Sequence, residues 1–323
     1  VAGLQTVSLP LYCGLDAGGT STRALVASPD GRIHGTGRGP GGNPNHYGWE
    51  RTGAAMHQAV TAACAAAGAS VTDLAGFFAG AASVITADDR TALSAIARHW
   101  PLSPACAVGI DHDIRIALEG GLSGRPGIAL VAGTGSSCYG RNADGKTWQA
   151  GGWDQLLDDL GSGYDLAQKA MVAASRDADG RGAPTCLKGM FFEAFAVDNA
   201  ADFAAKIYRP KRERHEIAAF APLVFEAAAQ EDAVAQAILA GGAAALADMA
   251  AAVSARLFPD GKVEIIFSGG LLENNEAYAL RVADAIRGRL PGARVCPREA
   301  SPVVGALALA MKTGGHAFPR MFS

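Results

Sequence analysis

The stretch Leu11-Tyr-Cys-Gly-Leu-Asp-Ala-Gly-Gly-Thr-Ser-Thr-Arg-Ala-Leu-Val-Ala-Ser28 sets two strand-like runs, Leu11–Leu15 and Arg23–Ser28, on either side of a glycine-rich turn. Gly18 and Gly19 let backbone N–H groups approach a ligand without a Cβ in the way. Successive amides in such a turn form an anion-holding nest, and the Thr20 hydroxyl adds a donor. Asp16, at the strand end, is a candidate for a Mg²⁺ ion or its water shell, because Mg²⁺ favours carboxylate oxygen and keeps several waters. The plainer alternative is a tight hairpin that needs glycine.

Working outward, a third strand, Ile33–Gly37, follows the hairpin turn Pro29-Asp-Gly-Arg32. The pattern then predicts a helix from Trp49 to about Ala67 and an apolar run, Leu74–Ala79. Thr86-Ala-Asp-Asp89 reads as a capping box opening a helix to Arg98. A strand over Ala105–Ile110 and a helix over Ile114–Glu119 complete the first half. The second half begins the same way, with strands Ile128–Ala132, Ser136–Arg141 and Thr147–Ala150 around the turns GTGS and NADGK. A mostly helical insert runs from Tyr164 to about Leu257. The strand Val263–Ser268, a helix over Asn275–Arg289, the strand Ala293–Cys296 and a helix Pro302–Lys312 with proline at its start close the chain. Strands alternating with helices argue for an α/β protein. The two halves repeat an order of elements and a Gly-Thr turn, not a sequence. The expected domains are 1–114 and 115–323, the second carrying the insert over 164–257, with the last helix (about 302–314) packing back on the first.

Three further segments carry chemistry. Gly133-Thr-Gly-Ser-Ser137 lies between two strands; it is no Walker loop, since no lysine follows it, and Cys138 stands where a dinucleotide fingerprint has its third glycine. Paired with Asp16–Thr22 at the matching place in the other half, it predicts two phosphate-gripping turns facing one cleft. Asp111-His-Asp-Ile-Arg115 follows a strand and opens a helix, so a carboxylate there can take a proton from a substrate hydroxyl. Either Asp111 or Asp113 could instead be an N-cap, and His112 reads as a surface or cap residue. Ser268-Gly-Gly-Leu-Leu272 closes a strand, and its glycines allow a flat purine against backbone or simply make a turn.

These segments resemble the phosphate-1, connect, phosphate-2 and adenosine motifs of the sugar kinase/Hsp70/actin superfamily, in that superfamily's order. Gly151-Gly-Trp153 followed by Asp159-Leu-Gly-Ser-Gly163 resembles, within it, the N-acetylglucosamine and glucosamine kinases of the BadF/BadG/BcrA/BcrD-type ATPases. The likeness runs from about Tyr12 to Lys312. It implies duplicated ribonuclease-H-like domains of the actin/hexokinase-like ATPase fold, with a cleft between them, and ATP with Mg²⁺ phosphorylating an amino sugar at its 6-hydroxyl. Position by position, it puts Asp16 on the metal and Gly18, Gly19, Thr20, Thr134 and Gly135 on the phosphates. Gly269 and Gly270 border adenosine, and Asp113 matches the catalytic aspartate. Asn43 or Asn45, Ser136, Gly152, Trp153 and Asp159 fall where the family contacts sugar. Trp153 suits an N-acetyl methyl packed on its indole face, with a core tryptophan as the other reading. The family usually has an acid or amide where this chain has Leu160, which bears on the sugar and not on the phosphate chemistry. The alternative function is an ATPase of the same fold acting as an activator or binding module.

Composition narrows the classes. Apolar residues make up 49% of the 323 and charged residues 18%, with a formal net charge of −3, the balance of a folded globular chain without an electrostatic footprint for a polyanion. The one cationic run, Arg209–Arg214, reads as a solvated loop or helix start, so no nucleic-acid partner is expected. Six scattered cysteines without a C-x-x-C pair read as reduced thiols, against an iron–sulfur cluster. Glu226, Glu231, Asp232 and Asp248 interrupt the Ala-rich stretch 217–257, so no membrane span is expected. With no leader-like opening, a cytoplasmic protein is the expectation, and a homodimer is left open.

Overall fold

A computed structural model describes residues 9–319 as two compact units, one of residues 9–125 with 297–319 and the other of 126–296. The first begins with a meander: β1 (Leu11–Ala17), β2 (Ser21–Ala27) and β3 (Ile33–Pro40). The short helix α1 (Pro44–Tyr47), α2 (Trp49–Ala66), β4 (Leu74–Ala81), α3 (Ala87–Ala97), β5 (Ala107–His112) and α4 (Asp113–Gly121) follow. The sheet order is β3-β2-β1-β4-β5, with the meander antiparallel and β4 and β5 parallel to β1. The foreseen capping box forms: Asp89 N–H donates to Thr86 Oγ1 at 3.1 Å and Thr86 N–H to Asp89 Oδ2 at 2.7 Å.

Why α2 lies so close to β3 is written in Gly35-Thr-Gly-Arg-Gly39. The glycines share one strand face, and a Cβ on Gly37 would sit 2.0 Å from Ala59 O, one on Gly35 2.1 Å from Ala63 O. Small residues on both sides let strand and helix backbones touch. Alternation along β1 then serves two layers: Cys13, Leu15 and Ala17 pack with Met56, Val60 and Leu93, whereas Tyr12 packs with Ile116, Leu307 and Met311 on the other face.

The second unit repeats the plan. It holds β6 (Gly127–Ala132), β7 (Ser136–Arg141) and β8 (Thr147–Gly151), then α5 (Gly163–Ala178), α6 (Cys186–Phe195), α7 (Ala200–Tyr208), α8 (Arg214–Ala218), α9 (Ala221–Ala229) and α10 (Ala233–Leu257). β9 (Val263–Ser268), α11 (Gly270–Glu273), α12 (Glu276–Arg289) and β10 (Ala293–Cys296) end it. Its sheet, β10-β9-β6-β7-β8, has the order and strand directions of the first. Phe191, Phe195, Phe203 and Phe220 form the centre of the helical insert.

Two expectations need adjusting. A boundary at 114/115 would cut through α4. That helix stays with the first unit because α13 (Pro302–Thr313) packs along it, and the chain passes between units at Arg125/Pro126. Secondly, α10 is long and apolar enough, by length and composition, to cross a membrane. Its Leu239, Leu246, Val253 and Leu257 are buried in the second unit's core, which identifies a core helix.

Candidate active site

In the first unit, Asp16 is the penultimate residue of β1 and half-buried. It lies level with Gly80 of β4, which lies level with Asp111 of β5, so both carboxylates stand at the carboxyl ends of parallel strands. That is where open α/β sheets bind ligands. The turn after Asp16 is pinned from behind: Gly18 N–H donates to Ser21 O (3.1 Å), Gly42 N–H to Gly18 O (2.9 Å) and Tyr47 OH to Gly19 O (3.3 Å). Among the described residues, the Gly19 and Thr20 amides have no acceptor, and both residues are exposed. A Cβ on Gly19 would meet nothing within 4 Å, and its φ is not left-handed. The hairpin does not need that glycine; space in front of it is what glycine keeps open.

The same pinning settles the place of the two asparagines. Asn43 is buried and caps α1, its Oδ1 accepting Asn45 N–H at 2.9 Å, one residue after the glycine bonded to the turn. Asn45 is exposed.

At the β5–α4 junction the N-cap is neither aspartate. His112 Nδ1 accepts Arg115 N–H at 3.1 Å, and burial lowers the imidazole to about 4, leaving it neutral and able to accept. Asp111 is buried, takes the Arg115 guanidinium and faces Arg90 at 3.4 Å. Burial pulls its carboxyl upward, but the Arg115 guanidinium and the His112 amide, which donates to Asp111 Oδ1 at 2.9 Å, outweigh that and hold it below the usual range. Asp113, the first residue of α4, differs sharply. Half-buried and without an ion-pair partner among the described residues, it is pushed by desolvation up to about 6, against the pull of its own and Ile114's amides. Such a carboxylate is ionised at neutral pH and poised to accept a proton.

In the second unit, the turn Gly133–Gly135 follows β6 and the glycines 269–270 follow its parallel neighbour β9. A Cβ on Gly133 would lie 3.8 Å from Gly270 N, so the structure brings these sequence-distant turns together. The carbonyls of Gly133 and Thr134 accept the first amides of α5, Gly163 and Tyr164, at 2.8 and 3.3 Å. The Thr134 and Gly135 amides have no acceptor among the described residues. Gly269 has a different role from Gly270: at φ +90°, with a Cβ site 2.5 Å from Ala132 O, it is required by the fold, while Gly270 is exposed with only Asn274 Nδ2 near, at 3.5 Å.

The segment 151–163 packs beside this turn. Asp159 is buried in a left-handed conformation (φ 63°). Its Oδ1 accepts Ser136 N–H at 2.9 Å and its Oδ2 pairs with Arg214. Desolvation keeps its carboxyl raised even though Arg214 opposes it. Ser136 Oγ donates to Leu160 O at 2.8 Å, which leaves its lone pairs for a ligand. Gly152, at φ 82°, donates to Asp158 Oδ2 at 2.9 Å. Trp153 is 47% exposed, which removes the core reading of that indole.

Arg214 was missed. Read as part of a solvated cationic run, its side chain is in fact only 10% exposed, and it reaches Asp154 Oδ1 (2.9 Å) and Asp159. No signal in the sequence gives that reach across more than fifty residues. Among the described residues no group of three or more histidine, cysteine or acidic side chains forms a metal cage.

Known proteins share this architecture. The N-acetylmuramic acid/N-acetylglucosamine kinase of Clostridium acetobutylicum is 30% identical over 263 residues, 81% of this chain and 85% of that protein. The N-acetyl-D-glucosamine kinase of Dictyostelium discoideum is 25% identical over 317 residues, 95% of this chain and 99% of that one. A solved structure from Chromobacterium violaceum, provisionally named an N-acetylglucosamine kinase, matches with a TM-score of 0.75 at 24% identity over 94% of this chain and 99% of its own. That likeness shows the fold, the actin/hexokinase-like ATPase fold. The model of the BadF/BadG/BcrA/BcrD ATPase family matches residues 13–310, and the chain belongs to that family.

Proposed function

We propose that the protein is a sugar kinase that transfers the γ-phosphoryl group of ATP to the 6-hydroxyl of an amino sugar, N-acetylglucosamine ahead of glucosamine. The observation that carries this reading is Asp113: a half-buried carboxylate pushed up to about 6, at a helix start beyond the carboxyl end of a parallel strand. Two relatives named for N-acetylglucosamine support the sugar.

In this reading Asp113 accepts the proton of the sugar hydroxyl while its oxygen bonds to the γ-phosphorus and the bond to the β-phosphate oxygen breaks, releasing ADP. The reaction asks for positioning and charge stabilisation more than covalent chemistry. Amides of Gly19 and Thr20, with the Thr20 hydroxyl, bind phosphate oxygens in the first unit, while Gly18, whose own amide is taken by Ser21 O, holds the turn in shape. Thr134 and Gly135 do so in the second, and Gly269 and Gly270 border adenosine. One strand-end carboxylate beside an open turn fits Mg²⁺, which takes few protein ligands and shares phosphate oxygens. Asp16 would hold it, and when bound it would neutralise triphosphate charge. Asn43, Ser136, Gly152 and Asp159 orient the sugar, Trp153 covers its acetamido methyl, and Asn45, at the surface, has no role in this reading.

ADP release measured with Mg·ATP across N-acetylglucosamine, glucosamine, N-acetylmannosamine, N-acetylmuramic acid and glucose tests the proposal. Release stimulated most by N-acetylglucosamine supports it. Equal rates with and without every sugar would favour a binding-module ATPase.

A further inference from the structure

Arg214 is an expensive residue to bury. Its Nη1 bonds Asp154 and its Nη2 bonds Asp159, yet its Nε is buried with no acceptor. A charge taken from water with one donor unmatched is poor value as a stabilising device, since apolar packing usually does as well. Its placement is more telling. Gly135 has an unstrained φ, but a Cβ there would lie 2.1 Å from Arg214 Nη2 and 2.8 Å from Asp159 Oδ1. The guanidinium therefore rests on the turn whose amides are open, at the position where any side chain would evict it.

A phosphate-binding role for this arginine is disfavoured by its surroundings. Asp154, Asp158 and Asp159 all act on the same spot, so the cluster carries net negative charge and repels a free anion. The geometry points to a different role: Arg214, from the helical insert, is a positioning residue that fixes Asp159 to the Gly133–Ser137 turn. Asp159 needs one. It is desolvated, its backbone is left-handed, and its other oxygen holds the Ser136 amide. Without the guanidinium it would protonate more readily and turn away from that amide. The planar fork of arginine bridges two carboxylates in fixed directions, which the point charge of lysine does not. The inference rests on the proposed reading of Asp159 as a sugar contact.

The test is steady-state kinetics and thermal unfolding of wild type, Arg214→Gln, Arg214→Lys, Asp159→Asn and the Asp159→Asn/Arg214→Gln pair. Loss of one charge-assisted bond should raise KM for N-acetylglucosamine about ten-fold or more in Arg214→Gln. KM for ATP should move less than about three-fold, and Arg214→Lys should fall in between. In the Asp159→Asn background, Arg214→Gln should add less than about two-fold, because the group it positions is already gone. Should Arg214→Gln fail to fold, Arg214→Lys and the charge-free pair, read against Asp159→Asn, give the same comparison. Unchanged sugar KM, equal rises in both KM values, or a full additional loss in the Asp159→Asn background would overturn the inference. A wild type that phosphorylates no sugar would instead refute the proposed function, so the two failures are distinguishable.

Discussion

Replacing Asp113 by asparagine should make the enzyme nearly inactive and more stable at once. The carboxyl is pushed by burial from its ordinary 3.8 to about 6. For an acid with a raised folded value, the stability contribution is whole below the unfolded pKa and is lost as pH rises through the folded one. Above pH 7 the ionised carboxylate therefore costs folding energy. A pKa difference of about 2 sets a ceiling near 3 kcal/mol, and solvent reaching the half-buried group reduces this to about 1–2 kcal/mol. Asparagine keeps the shape and removes the charge, so at pH 7.5 Tm should rise by about 2–8 °C. Loss of a general base should lower kcat by about 10²–10⁴-fold, or ~3–5 kcal/mol of barrier. Calorimetry and coupled ADP release on one preparation measure both, and nucleotide binding should survive. A lowered Tm, or kcat within about three-fold of wild type, would refute the placement of this carboxylate.

Asp111→Asn should act in the opposite sense. Its carboxyl is held low, so its stability contribution is present above the ordinary carboxylate range and lost as pH falls; the variant should lose about 1–2 kcal/mol at pH 7.5, read as a lower Tm, with kcat far closer to wild type than that of Asp113→Asn. The acidic limb of kcat/KM against pH should bend near 6 and be absent from the residual activity of Asp113→Asn. Trp153→Ala should raise KM for N-acetylglucosamine about 2–10-fold, leaving KM for ATP and Tm unchanged because the indole is exposed. Gly19→Ala should keep its Tm and weaken ATP about ten-fold, whereas Gly269→Ala, at φ +90° against Ala132, should lose about 1–3 kcal/mol of stability. Equal Tm losses in the two glycine variants would contradict the division between ligand-facing and fold-required glycines.

Much of the fold was legible because its signals are local. Glycine-rich turns bracket both meanders, Thr86 and Asp89 form a capping box within four residues, and Pro302 starts α13 as N1 prolines do. The domain boundary was not legible, because only packing reveals that α13 lies along α4 and keeps it in the first unit. Within the site, motif spacing located both aspartates and the family resemblance favoured Asp113, but no sequence signal carried the physical difference between them. Histidine is a less usual N-cap than aspartate, and the desolvation that separates Asp113 from Asp111 exists only once β5 and α4 are packed. Arg214 shows the same limit: a cationic run looks solvated until tertiary structure turns one of its members inward.

The central claim is phosphoryl transfer to a sugar hydroxyl with Asp113 as base, and product analysis by ³¹P–¹H correlation NMR tests it most directly. Incubation of wild type with Mg·ATP and N-acetylglucosamine should give ADP and a phosphomonoester coupled to the protons on carbon 6, and Asp113→Asn should give almost none in the same time. Formation of inorganic phosphate without any sugar phosphate would contradict the account.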